Sequence, residues 1–137
     1  MTSEEIMQIA AEHNEPDWFA QKRRMAWDVM DELAMPEIQR FDYHNWKMLP
    51  EVTQIIPTEV PSNKNYVLTD IFEAAKKYPE LMQQYYMNKV IKVDENKFTA
   101  YHTAFLNNGI FLYVPKNTVI EEPIEINLIQ DSQTPFV

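Results

Sequence analysis

Between residues 3 and 35 the apolar positions recur at three- and four-residue steps, the spacing that puts side chains on one face of an α-helix. Over residues 3–13 (SEEIMQIAAEH), Ile6, Ile9 and Ala10 share such a face, and Ser3 is the expected N-cap because its hydroxyl accepts a free backbone N–H. Asn14-Glu15-Pro16-Asp17 interrupts the pattern, and Pro16 suits a first helical turn, where no backbone donor is needed. A second helix is predicted from Trp18 to Met35. Trp18, Ala26, Val29, Met30 and Leu33 form its apolar stripe, with the polar Gln21, Lys22 and Asp28 between them. Pro36 ends or re-aims it by removing a donor and restricting its neighbour.

Residues 37 to 67 show no such period and carry Trp46, Pro50, Pro57 and Pro61, with Ser62-Asn63-Lys64-Asn65 reading as a polar turn. A helical block resumes near Thr69 or Asp70 (DIFEAAKKY) and restarts after Pro79 as PELMQQYYMNKV. Its predicted buried stripe is Ile71, Phe72, Ala75, Tyr78, Leu81, Met82, Tyr85 and Tyr86. Around residue 90 the texture changes to short runs of β-branched and aromatic residues: FTAYHTAFL, IFLYV, VI and IEINLI. Turn signals at Asp94-Glu95-Asn96, Asn107-Asn108-Gly109 and Pro115-Lys116-Asn117 separate them, so strands are expected here. Pro115 and Pro123 confine those strands to edges or corners, because proline cannot donate to a ladder. Two or three such strands do not close a core alone, and the ending at Gln133-Thr134-Pro135-Phe136-Val137 reads as cut off.

Composition narrows the function classes. Of 137 residues, 45% are hydrophobic and 12% aromatic, enough for a packed core. The chain has no cysteine, which removes disulfides, thiol nucleophiles and thiolate ligation of zinc or iron–sulfur clusters by its own side chains. Its one glycine, Gly109, is too few for a P-loop or a dinucleotide fingerprint. A net charge of −9 argues against a nucleic-acid partner, whose binding rests on neutralised phosphates. Divided at residue 90, the first part has 9 basic and 15 acidic residues and the second 3 and 6, so neither hides a basic domain. The start, Met1-Thr2-Ser3-Glu4-Glu5, lacks a signal-peptide pattern, and no apolar run reaches the ~18–20 residues that span a bilayer. A cytoplasmic protein without a membrane partner is the expectation.

The stretch from Asp94 to Ile124, DENKFTAYHTAFLNNGIFLYVPKNTVIEEPI, resembles the SufB/SufD family of iron–sulfur cluster assembly scaffolds. The resemblance rests on Lys97, Phe98, Ala100, Ala104, Phe105, Asn108, Gly109, Phe111, Tyr113, Val114, Pro115, Glu121, Pro123 and Ile124. A second motif, Glu15-Pro16-x-Trp18 followed by Arg23 and Ala26, resembles the family's helical lead-in and leans toward the SufD branch, as does Trp46-Lys47. One departure is Asn117, where the family usually has glycine; asparagine tolerates the left-handed turn better than other side chains. The resemblance implies an α+β architecture: a helical N-terminal domain over residues 1–90, then the first strands of a right-handed parallel β-helix over 91–137, in the first part of a longer chain. It also implies a non-catalytic scaffold that works with a SufB-like subunit and a SufC-like ATPase, whose docking sites lie mainly in later parts of the family's chains.

The residues themselves suggest little independent chemistry. His13, His44 and His102 fall in three different elements, whereas a metal site needs ligands that converge. His13 lies beside Glu12 and Glu15 as an ordinary helix-end grouping, and His102 reads as a hydrogen-bonded strand histidine. Adjacent acids in Glu4-Glu5, Asp31-Glu32 and Glu121-Glu122 point in different directions and suit solvated faces. Lys22-Arg23-Arg24 is the one basic cluster, expected to pair with neighbouring carboxylates or face solvent, with partner docking the sharper alternative. Trp18 and Trp27 lie about 180° apart at 100° per residue, so core on both sides of the helix is favoured over one partner-facing side. No residue is assigned a catalytic, cofactor-binding or metal-ligating role.

Two alternatives to the scaffold reading come from other classes. A cupin-type small-molecule protein or enzyme is suggested by the Phe111-x-Tyr113-x-Pro115 strand, but it needs clustered histidines and glycine-rich turns. A helical adaptor would recruit its partner through residues 37 to 67. Under the scaffold reading, free strand edges of an incomplete β-helix predict association with a second copy.

Overall fold

The computed structural model describes residues 2–40, 42–43, 45 and 65–126. The described order is α1 (Ser3–Glu12), α2 (Asp17–Met30), β1 (Val67–Asp70), α3 (Ile71–Lys77), α4 (Pro79–Tyr85), α5 (Lys97–Phe105) and β2 (Ile110–Tyr113). His44, Trp46-Lys47, Pro50, Pro57, Pro61, Ser62 to Lys64, the second half of the last predicted strand and the Gln133–Val137 ending lie outside those residues.

Local chemistry sets the helix starts. Thr2, one residue before the expected Ser3, caps α1: its hydroxyl accepts from Glu5 N at 3.4 Å while its own N–H donates to Glu5 Oε2 at 2.6 Å. Pro16 occupies the N-cap of α2, which ends at Met30 rather than Met35, with Leu33 still resting against the core. Asp70 Oδ1 caps α3 by accepting from Phe72 N and Glu73 N, and Pro79 opens α4 as expected. Of the predicted stripe, Ile71, Phe72, Ala75 and Met82 are buried, whereas Tyr85 is exposed.

The run KFTAYHTAF, expected as strand, is the helix α5. Its β-branched and aromatic residues pointed to a strand, but Asn96 supplies a capping box with Thr99, and Ala100 and Ala104 sit one turn apart, both fully buried. These two small side chains let α5 lie along α2, its main helix partner. Consequently Val93, Ala100, Ala104 and Phe105 share one hydrophobic cluster with Ile6, Ala26 and Met30, and the core runs across residue 90.

A second cluster gathers Phe19, Ile71, Phe72, Ala74, Ala75, Met82 and Leu106. It is roofed by β1 and β2, which pair antiparallel with Val67 opposite Tyr113 and Asp70 opposite Ile110. The β2 strand falls within the predicted IFLYV run, whereas β1 lies where no strand was expected. Four residues are too few to show alternation, and β1 is a strand because β2 pairs with it. Residues 119–126 form no strand in the described structure.

Gly109 and Asn117 serve their turns for different reasons. Gly109 does not take a positive φ; a Cβ there would lie 2.9 Å from Ile71 Cγ2, so glycine is required by close approach. Asn117 adopts φ 64°, the left-handed turn expected of it.

Candidate functional site

The two clusters meet at α2, and a buried arginine marks the seam. Phe19, Arg23, Ala26 and Met30 form the buried face of this helix, with Phe19 in one cluster and Ala26 and Met30 in the other. Arg23 is 1% exposed. Its guanidinium forms an ion pair with Glu15 through Nη2, and Nε donates to Glu15 Oε2 at 3.2 Å. Nη1 donates to the carbonyl of Ala104 at 2.7 Å and Nη2 to that of Leu106 at 2.8 Å. Both carbonyls belong to the end of α5, where a helix leaves acceptors without intrahelical partners and a cation is favoured. One planar side chain therefore ties the α1–α2 connection to the C-terminus of α5.

Aromatic rings pack beside it, two of them from partly buried residues, His13 and Tyr86. His13 stacks on Phe72 with ring centroids 3.7 Å apart, and Phe72 meets Phe19 edge-on. Phe19 in turn stacks on Tyr86 at 5.0 Å. His13 Nε2 and the Tyr86 hydroxyl are buried without a hydrogen-bond partner among the described residues. Burial lowers the His13 pKa, an effect that Glu15 opposes and Arg23 reinforces. Burial raises the Tyr86 pKa far enough to keep the phenol neutral. Asn107 and Asn108 are buried just beyond α5.

The lead-in motif thus resolves into contacts. Glu15 neutralises Arg23, Pro16 starts α2, Trp18 Nε1 donates to the Ala75 carbonyl at 3.3 Å, and Ala26 fills the α2–α5 contact. Trp27 packs edge-on against Phe105, so both tryptophans contact core clusters on opposite sides of α2.

The basic triplet separates completely. Arg23 is buried, Arg24 is exposed, and Lys22 lies 5.9 Å above the Tyr86 ring. The expectation that the triplet pairs with nearby carboxylates holds for Arg23, but on the buried face rather than the surface. Its role was hidden because a basic triplet gives no sign of which member points inward. The signal available was Glu15, eight residues upstream, within the same motif.

The histidines do not converge. His13 is in the seam, His102 is exposed on α5 rather than in a strand, and His44 lies outside the described residues. No group of three potential metal ligands occurs among the described residues. Of the acidic pairs, Glu5 serves the α1 cap, Asp31 approaches Lys97 at 3.4 Å, and Glu121 and Glu122 are exposed. No helix among the described residues is long and apolar enough to cross a membrane.

The family model for the SufBD protein N-terminal region matches residues 37–126. The chain belongs to the SufBD family. It is similar to the iron-sulfur cluster assembly protein SufD of Bacillus subtilis, at 28% identity over 94% of this chain and 39% of that protein. It is also similar to the SufBD family protein PH1385 of Pyrococcus horikoshii, at 39% identity over 77% of this chain and 24% of that protein. A third relative is the SufBD family protein ABCI9 of Arabidopsis thaliana, at 37% identity over 50% of this chain and 15% of that protein. The chain therefore spans well under half the length of these curated relatives. The matched region contains α3 to α5 and both strands, while Glu15 and Arg23 precede it. Arg23 nonetheless ties to the carbonyls of Ala104 and Leu106 inside this SufBD region.

Proposed function

We propose that this protein acts in iron–sulfur cluster assembly as a SufD-like, non-catalytic scaffold subunit, in the cytoplasm, together with a SufB-like subunit and a SufC-like ATPase. The observation that carries this reading is the SufBD N-terminal match over residues 37–126. The similarity to a SufD protein over nearly all of this chain favours the SufD branch. In this reading the described helices form a folded head on a longer protein that continues as a right-handed parallel β-helix. The Arg23 seam supports a structural use of the charged residues, since its donors end on Glu15 and on two backbone carbonyls. With no cysteine, this chain supplies no thiolate for a cluster, so cluster ligation falls to other segments or subunits.

The test is co-purification and complementation with the full-length protein. It should hold the SufB-like and SufC-like partners and restore iron–sulfur enzyme activities in cells lacking it. Residues 1–137 alone should not retain the ATPase as tightly as the whole protein. Equal retention would move the docking site into this segment, and failure of complementation would remove the assembly role.

A further inference from the structure

About 100° around α2 from the Arg23 seam, Lys22, Met25, Val29, Met87, Asn88, Lys92, Val93 and Asp94 line a recess of about 210 Å³. Its floor is apolar, and its rim carries two ammonium groups against one carboxylate. The loop beyond α4 extends the apolar surface: Val90 is 92% exposed, and Ile91 and Met25 are about half exposed. Lys89 lies on the same loop, 5.5 Å above the Tyr85 ring.

The lysines here differ from most of those elsewhere. Lys76 and Lys77 pair with Glu73, and Lys97 with Asp31. Lys22, Lys89 and Lys92 have no carboxylate within ion-pair distance among the described residues. Lys22 is also partly desolvated, which lowers its pKa and strengthens its response to an incoming anion. Exposed apolar side chains interleaved with unpaired cations favour an occupant of the opposite charge that also has apolar groups.

We infer that this recess docks an acidic, leucine-type apolar segment of a partner protein, its carboxylates meeting Lys22 and Lys92 and its apolar side chains covering Met25, Val29 and Val90. Asp94 sets a limit on how many carboxylates fit, since it repels one placed beside it. The inference does not depend on the cluster-assembly reading, because its test reads peptide binding rather than assembly.

The experiment is fluorescence anisotropy on the full-length protein with a labelled decapeptide of alternating glutamate and leucine. Saturable binding that weakens with added salt is expected. The double variant Lys22→Glu/Lys92→Glu should weaken it at least about tenfold, and Asp94→Asn should tighten it a few-fold. The control Lys76→Glu/Lys77→Glu should leave it within about twofold, because those lysines lie away from the recess. Milder Lys22→Gln and Lys92→Gln variants, checked for fold by circular dichroism, should show an intermediate loss. Absence of saturable binding would overturn the inference. So would equal binding of a lysine–leucine peptide, or equal loss in the control. A dimer abolished by Val90→Asp would assign the face to self-association and overturn it as well.

Discussion

Lys22 and Arg23 are consecutive on one helix and meet opposite environments. Arg23 is sealed in the seam between two hydrophobic clusters, with its donors directed to Glu15 and to two carbonyls at the end of α5. Lys22 stands at the rim of a recess with an aromatic ring beneath it and no described carboxylate. A step of about 100° around the helix separates the two directions. The contrast shows how a basic cluster in sequence serves as both a structural tie and a surface charge. It also shows why guanidinium occupies the inner position: a planar fork reaches one carboxylate and two carbonyls together, which a single ammonium does not.

The largest expected effect breaks the inner side of that comparison. Arg23→Leu leaves the Glu15 carboxylate buried without its partner and should cost about 3–5 kcal/mol in urea unfolding. Lys22→Gln, one residue away, should change stability by no more than about 0.5 kcal/mol. Equal losses would erase the distinction between the two faces. Replacing both partners, as in Arg23→Met/Glu15→Leu, should recover a large part of the loss, because no unpaired charge remains.

Next in size is Gly109→Ala. The added methyl meets Ile71, itself part of the second cluster, and overpacking should cost about 1–3 kcal/mol. The accompanying Ile71→Val variant should relieve part of the clash at Cδ1 but not at Cγ2, so incomplete rescue is expected in the same unfolding assay. Asn96→Ala comes third. It removes the acceptor for Phe98 N and Thr99 N and should destabilise α5 by about 1 kcal/mol, seen as lower helicity and a lower unfolding midpoint.

The smallest effect concerns pH. Burial depresses the His13 pKa below its ordinary 6.5, so the unfolded chain takes up that proton first. The favourable contribution of neutral His13 is complete above pH 6.5 and declines as pH falls from there through the folded-state pKa. His13→Gln should flatten this part of the stability–pH curve, measured by denaturant unfolding across the acidic range. An unchanged slope would place the proton uptake elsewhere.

The seam was partly visible in the amino-acid order. Glu15, Pro16, Trp18, Arg23 and Ala26 stand in one motif, and each has a defined contact in the fold. The inward turn of Arg23 was not visible, because its neighbours Lys22 and Arg24 are equally basic. The recess was still less legible. Its walls come from α2 and from residues 87–94, whose nearest members, Val29 and Met87, are 58 positions apart in the sequence.

Sequence alone determined the breaks at Pro16, Asp70 and Pro79, the apolar stripes of α2 and α3, the turn at Asn117 and the likeness to the SufBD family. Those features depend on local backbone preference or on short ordered motifs, which neighbouring residues carry. Tertiary structure decided that residues 97–105 form a helix, that residues 67–70 form a strand, and that Arg23 is interior. In each case the deciding partner is distant: α2 for the alanines of α5, β2 for β1, and the Ala104 and Leu106 carbonyls for the guanidinium. Local propensity is worth tenths of a kcal/mol per residue, so burial and long-range hydrogen bonds override it where they converge.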